Sequence, residues 1–134
     1  MEVRRMAIQK KLVNWVRAKY EQVNVSAEVG LFNYRCFNNA VLYCQNSKIR
    51  SDIYECIYID GLEPVLHYVV LKNGEYREVT LGYLADSLEY YVLRRIPEND
   101  WANIGVEFER SLDVWTRQFT TIFDRKVLMI GRIL

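Results

Sequence analysis

The sequence predicts an α+β protein with N-terminal helices, an antiparallel sheet of three to four strands and a C-terminal amphipathic helix. Apolar residues recur at helical spacing near both ends of the chain, whereas the period drops to two through its middle. Within that middle stretch, Asp60-Gly61 and Asn73-Gly74 are turn signals. An order of helix, helix, strands, helix separates the two kinds of element, as α+β proteins do. At 134 residues, about half of them apolar, the chain suits one domain, 1–134, with a single core.

The first helix is expected over EVRRMAIQKKLVNWVRAKY, where Met6, Val13, Val16 and Tyr20 follow spacings of seven, three and four. Residues 21–35 carry Asn24, Ser26 and Gly30 without a clean period and read as a loop. A second helix starts at Cys36, stacking Cys36, Ala40 and Cys44 at i, i+4 and i+8, and stops by the QNSK turn. DIYECIYIDG reads as a strand, and PVLHYVVLKNGEYREVTLG as two more joined at Asn73-Gly74. In that hairpin Lys72 faces Glu75 and His67 faces Thr80, so Glu78 is the diagonal neighbour of His67 on one face. SLEYYVLRRIP is the fourth strand, closed by Pro97. Phe108, Leu112, Trp115, Phe119 and Ile122 mark the last helix, with Asn99 or Asp100 as its cap. The tail KVLMIGRIL suits either the end of that helix or a packed extension.

The net charge of +1 hides a basic first helix, in which Arg4, Arg5, Lys10, Lys11, Arg17 and Lys19 stand against Glu2 alone. A solvated face explains this, and an acidic partner or a phosphate backbone is the sharper alternative. No base-reading or zinc pattern accompanies it, so nucleic acid is not the expected partner and nucleic-acid binding through this basic first helix stands only as a second alternative function. Ten tyrosines lie mostly in the expected strands, where the residue is favoured; an aromatic binding surface is the alternative. No stretch of about 18 apolar residues spans a membrane and no signal peptide is evident, so a cytoplasmic location with reduced thiols is expected. The cysteines Cys36, Cys44 and Cys56 are spaced by eight and twelve and His67 is the single histidine, so neither a metal nor a cofactor is expected. Cys44 and Cys56 are assigned to the core.

Thiol chemistry needs a thiolate, a base in hydrogen-bond reach and a group that orients the base. The unpaired amides of a helix N-terminus favour an anion, and Cys36 stands at one. His67 and Glu78 follow on adjacent hairpin strands, where a carboxylate fixes the imidazole tautomer. Taken singly, Cys36 reads as a small core residue, His67 as a satisfied histidine on a half-buried strand and Glu78 as a solvated acid.

The stretches YRCFNNAVLY, GLEPVLHYVVLKNGEYREVTLG and EYYVLRRIPENDW, in that order, resemble small phage and bacterial proteins with a papain-like or transglutaminase-like arrangement. Those show a Cys-x-x-Asn-Ala helix start, a His-bearing strand, a hairpin, and an Asp before a Thr. Here the matches are Cys36, Asn39 and Ala40, then His67, then Glu78 with Thr80, within residues 33–101. The resemblance implies a Cys36 nucleophile, a His67 proton shuttle and Glu78 as its orienting acid. It implies an oxyanion site made by the Cys36 N–H with Asn33 or Asn39. Glu78 replaces the usual Asp, and Gly30 stands six residues before the cysteine, where a papain-type glutamine would be. The expected function is thiol-dependent acyl transfer or amide hydrolysis on a protein or peptide substrate. The alternative is a non-enzymatic phage or bacterial interaction protein on the same core, directed at a host protein in the host cytoplasm.

Overall fold

The structure is a computed structural model that describes residues 2–28 and 35–134. Its elements are α1 (Glu2–Lys19), β1 (Gln22–Val23), β2 (Val25–Ala27), α2 (Cys36–Asn46), β3 (Ser51–Asp60), β4 (Glu63–Lys72), β5 (Glu75–Glu78), β6 (Glu89–Ile96), α3 (Ile104–Phe119) and α4 (Ile122–Lys126). Two 3-10 segments, Gly82–Ser87 and Glu98–Asn103, flank β6. The class is α+β, as the two periods in the sequence require.

The sheet is larger than expected and is mixed. Its six strands run in the order β1-β6-β3-β4-β5-β2, with β2 parallel to β5 and every other pair antiparallel. The two extra strands come from residues 22–27, inside the stretch read as a loop; strands of two and three residues are too short to show a period.

Turn chemistry sets the central registers. Asn73 and Gly74 both take positive φ, 53° and 75°, which suits a two-residue hairpin, and Lys72 then faces Glu75. Gly61, at φ 65°, opens the turn between β3 and β4, and Asp60 faces Glu63. Along β3, Ile53, Ile57 and Ile59 point to the helical side, where they meet α1 (Ile8, Leu12, Val16), α2 (Phe37, Ala40) and α3 (Leu112, Trp115). The alternate residue Cys56 packs with Val69, Tyr90 and Ala85 on the other side, with Tyr54, Tyr58 and Tyr76 around them. With both faces covered, β4 is buried almost throughout.

Three further expectations are corrected. Met6 is 60% exposed and lines a groove with Leu62, while Val13 and Val16 are buried as expected and Ile8 and Leu12 complete the buried stripe of α1. The last long helix ends at Phe119, leaving Ile122 exposed at the start of the separate α4, where Thr121 and Asp124 form a capping box. Neither Asn99 nor Asp100 caps α3, because both lie in the preceding 3-10 segment and Asn103 is the N-cap residue. The tail beyond α4 packs as an extension, with Ile130 and Ile133 buried.

Candidate active site

Glu78 is the last residue of β5 and fully buried, which overturns its reading as a solvated acid. An isolated carboxylate there would be very costly, and it is retained because donors converge on it. The Nε2–H of His67 lies 2.8 Å from both Oε1 and Oε2. Tyr90 donates its hydroxyl to Oε1, while the backbone N–H groups of Thr80 and Leu81 donate to Oε2 at 3.1 and 3.2 Å. The chain turns away after β5, and this turn aims its own amides back at the acid.

The hairpin register explains the meeting. The β4–β5 ladder ends at Val70 facing Arg77, so beyond it the two chains separate and leave room for side-chain contact between His67 and Glu78. His67 itself is 4% exposed, with Cys56 opposite it on β3 and Tyr58 edge-on at 5.1 Å between ring centroids.

Cys36 opens α2, where the first N–H groups of a helix lack intrahelical partners. It is partly buried and close enough to His67 to raise the imidazole pKa. Because the acid holds Nε2, Nδ1 is the ring nitrogen left for the thiol. Burial acts to lower the pKa of His67, but the hydrogen bonds and negative charges of Cys36 and Glu78 outweigh it and raise it to about 10. Burial acts to raise the pKa of Glu78, and the His67, Tyr90 and Leu81 donors outweigh it, so the carboxyl titrates below its usual range. The imidazolium–carboxylate pair is thus the favoured state at neutral pH.

Asn39 is fully buried and its amide donates to Thr80 Oγ1 at 3.0 Å. That bond ties the first turn of α2 to the residue after the Glu78 turn, so Asn39 holds the thiol-bearing helix against the acid-bearing strand. Asn33 and Gly30 lie outside the described residues. Cys56 is fully buried and burial, followed by the charge of Glu78, pushes its thiol pKa well up; Cys44 is only partly buried, and burial raises it to about 12. Neither thiol suits a nucleophile.

Sequence reasoning missed Tyr90. The hydroxyl that anchors Glu78 comes from β6, separated from β5 by two intervening strands, and its strand alternation shows only that it faces the same side as Cys56. It missed also that Glu55 is buried: on the helical side its carboxylate accepts from Ser111 Oγ at 2.8 Å, Tyr68 Oη at 3.1 Å and Arg94 at 3.3 Å. Of the other tyrosines, Tyr54, Tyr58 and Tyr76 lie partly exposed together on the Cys56 side of the sheet, whereas Tyr68 and Tyr91 are buried and Tyr83 is 76% exposed. Among the described residues no group of three or more His, Cys, Asp or Glu side chains is arranged to hold a metal ion, and no helix is long and apolar enough to cross a membrane.

Comparison of the chain with protein-family models, with curated proteins and with solved structures finds no match in any of the three.

Proposed function

We propose that the chain is a thiol-dependent acyl-transfer enzyme acting on an amide, ester or thioester carbonyl. One observation carries the reading: a single buried imidazole is hydrogen-bonded to the buried carboxylate of Glu78, and the Cys36 thiol at the start of α2 acts on the same ring and raises its pKa. With the proton already on the His67 imidazolium, Cys36 Sγ attacks the carbonyl carbon as the paired thiolate, giving a tetrahedral oxyanion. On collapse, the carbon–leaving-group bond breaks, His67 returns the proton to the departing amine, alcohol or thiol, and a thioester to Cys36 remains. Water then yields hydrolysis or deamidation, and an amine yields transfer. Throughout, Glu78 holds the ring in one orientation and stabilises its positive charge. The Cys36, Asn39, His67 and Thr80 positions match the papain-like and transglutaminase-like pattern, with Glu78 in place of its Asp, and the contact between Glu78 and His67 supports the longer acid in that role.

The test is iodoacetamide labelling with peptide-level readout at about pH 6, where a free thiol of pKa ~8.5 reacts slowly. Cys36 is expected to label at least ~10-fold faster in the wild type than in His67→Ala. Equal rates in the two proteins would sink the proposal.

A binding role is the second reading, favoured by exposed apolar side chains at the C-terminal end: Ile122, Phe123, Val127 and Met129 are each more than half exposed. It predicts that Cys36→Ser leaves the biological activity of the protein intact.

A further inference from the structure

If Cys36 attacks a carbonyl, the oxygen that becomes negative needs donors already in place, and the Cys36 N–H at the start of α2 supplies one by position. The amide of Asn39 is turned into the interior toward Thr80. Among the tyrosines nearby, Tyr90 gives its hydroxyl to Glu78 and Tyr68 gives its own to Glu55. Tyr58 differs from both. It lies on β3 facing Val65, diagonal to His67, with its ring 5.1 Å from the imidazole and at 82° to it. It is half-buried, so one part of the ring is reachable from solvent, and its hydroxyl has no hydrogen-bond partner among the described residues.

We propose that Tyr58 is the side-chain oxyanion donor of this site, its phenolic O–H hydrogen-bonding the carbonyl oxygen as the tetrahedral intermediate forms. The inference rests on the thiol acyl-transfer reading and adds to it the residue that takes the place of the missing glutamine. Two properties suit the role. Burial, with the negative charges of Glu78 and Cys36, pushes the phenol up to about 12, so it keeps the proton it must donate at neutral pH. A rigid ring packed edge-on against His67 also fixes the donor without the entropy cost of a long side chain.

The experiment separates stabilisation of an oxyanion from reactivity of the thiol. p-Nitrophenyl acetate is the acyl probe, because attack on it forms a tetrahedral oxyanion. Iodoacetamide is the alkyl probe, because displacement of iodide forms none. Tyr58→Phe keeps the ring and removes the donor, and its fold is verified by an unchanged circular dichroism spectrum and thermal transition. We expect Tyr58→Phe to lower Cys36-dependent nitrophenolate release about 100-fold, the effect of removing one oxyanion donor, while Cys36 alkylation changes less than about twofold. Tyr90→Phe, which loosens Glu78, is expected to lower both rates. Unchanged nitrophenolate release in Tyr58→Phe overturns the proposal, and so does a parallel loss of alkylation, which would make Tyr58 a positioning residue for His67. Nitrophenolate release by the wild type that does not require Cys36 overturns the acyl-transfer reading and this inference with it.

Discussion

Two buried carboxylates sit on the two sides of one sheet, and they differ in what they hold. Glu78 and Glu55 are 0% and 2% exposed, and each accepts a full set of hydrogen bonds. Glu78 holds an imidazole whose side chain is 5% exposed and which reaches a thiol; Glu55 holds the guanidinium of Arg94, 40% exposed, together with two hydroxyls. Arg94 stays charged at any ordinary pH, so the Glu55 cluster is a fixed clamp between the sheet and α3. His67 can take and release a proton, so the Glu78 cluster can do chemistry. A buried, satisfied acid is therefore a poor marker of function by itself, and the titratable neighbour is what separates the two.

The largest contrast should come from removing each acid. Glu78→Ala leaves a buried imidazolium, a phenol and two backbone N–H groups without their acceptor, and is expected to cost ~3–5 kcal/mol in urea unfolding. Cys36 alkylation near pH 6 should fall in the same variant. If Glu78→Ala unfolds like the wild type, the distinction between the clusters collapses.

The pH dependence should divide them next. His67 is raised from 6.5 to about 10 on folding, so the stability it contributes is fully present below about 6.5 and is lost as pH rises through about 10. Glu78, lowered from 4.5, contributes stability that is present above about 4.5 and is lost as pH falls through its folded-state value. Unfolding free energy should drop between about pH 6 and about pH 10.5 by more in the wild type than in His67→Gln. Glu55→Gln should retain the wild-type drop, and a variant-independent profile would remove His67 as its source.

A smaller loss is expected for Glu55→Ala. The exposed Arg94 head can return to water, leaving mainly Tyr68 and Ser111 to be compensated, so the cost should be ~1–3 kcal/mol with Cys36 alkylation unchanged. Altered alkylation would mean the clusters communicate through β3 and β4. The smallest effects should come from the turns that align each acid, Gly61 for the β3–β4 register and Gly74 for the β4–β5 register. A Cβ meets nothing within 4 Å at either site, so Gly61→Ala and Gly74→Ala should each cost only the positive-φ penalty, ~1 kcal/mol in thermal unfolding.

These contrasts also mark how far the sequence could be read. Asn73-Gly74 revealed the hairpin because the dipeptide tolerates positive φ, and from that turn the proximity of His67 and Glu78 follows by counting. Cys36 was legible as a helix start, since an irregular stretch precedes it and apolar residues recur after it. Glu55 was not legible as buried. It interrupts an Ile- and Tyr-rich strand, and only the long-range arrival of Arg94 and Ser111 makes its position tolerable. Tyr90 and the Asn39–Thr80 tie escaped for the same reason, because each joins residues that local spacing does not relate. The short β1 and β2 escaped because pairing with β6 and β5 defines them, and no pattern of their own does.

The parallel pairing of β2 with β5 bears on the order in which the molecule assembles. Strands β3, β4 and β5 are joined by tight turns, so their contacts close short loops and can form early, bringing His67 and Glu78 together. Val25–Ala27 must find Tyr76–Glu78 across about fifty intervening residues, a far costlier closure, and Cys36 lies on the chain between them. A refolding chain would prepare its base and acid first and receive its nucleophile later. The rate at which Cys36 becomes sensitive to His67 would then be a clock for the final docking of the N-terminal segment.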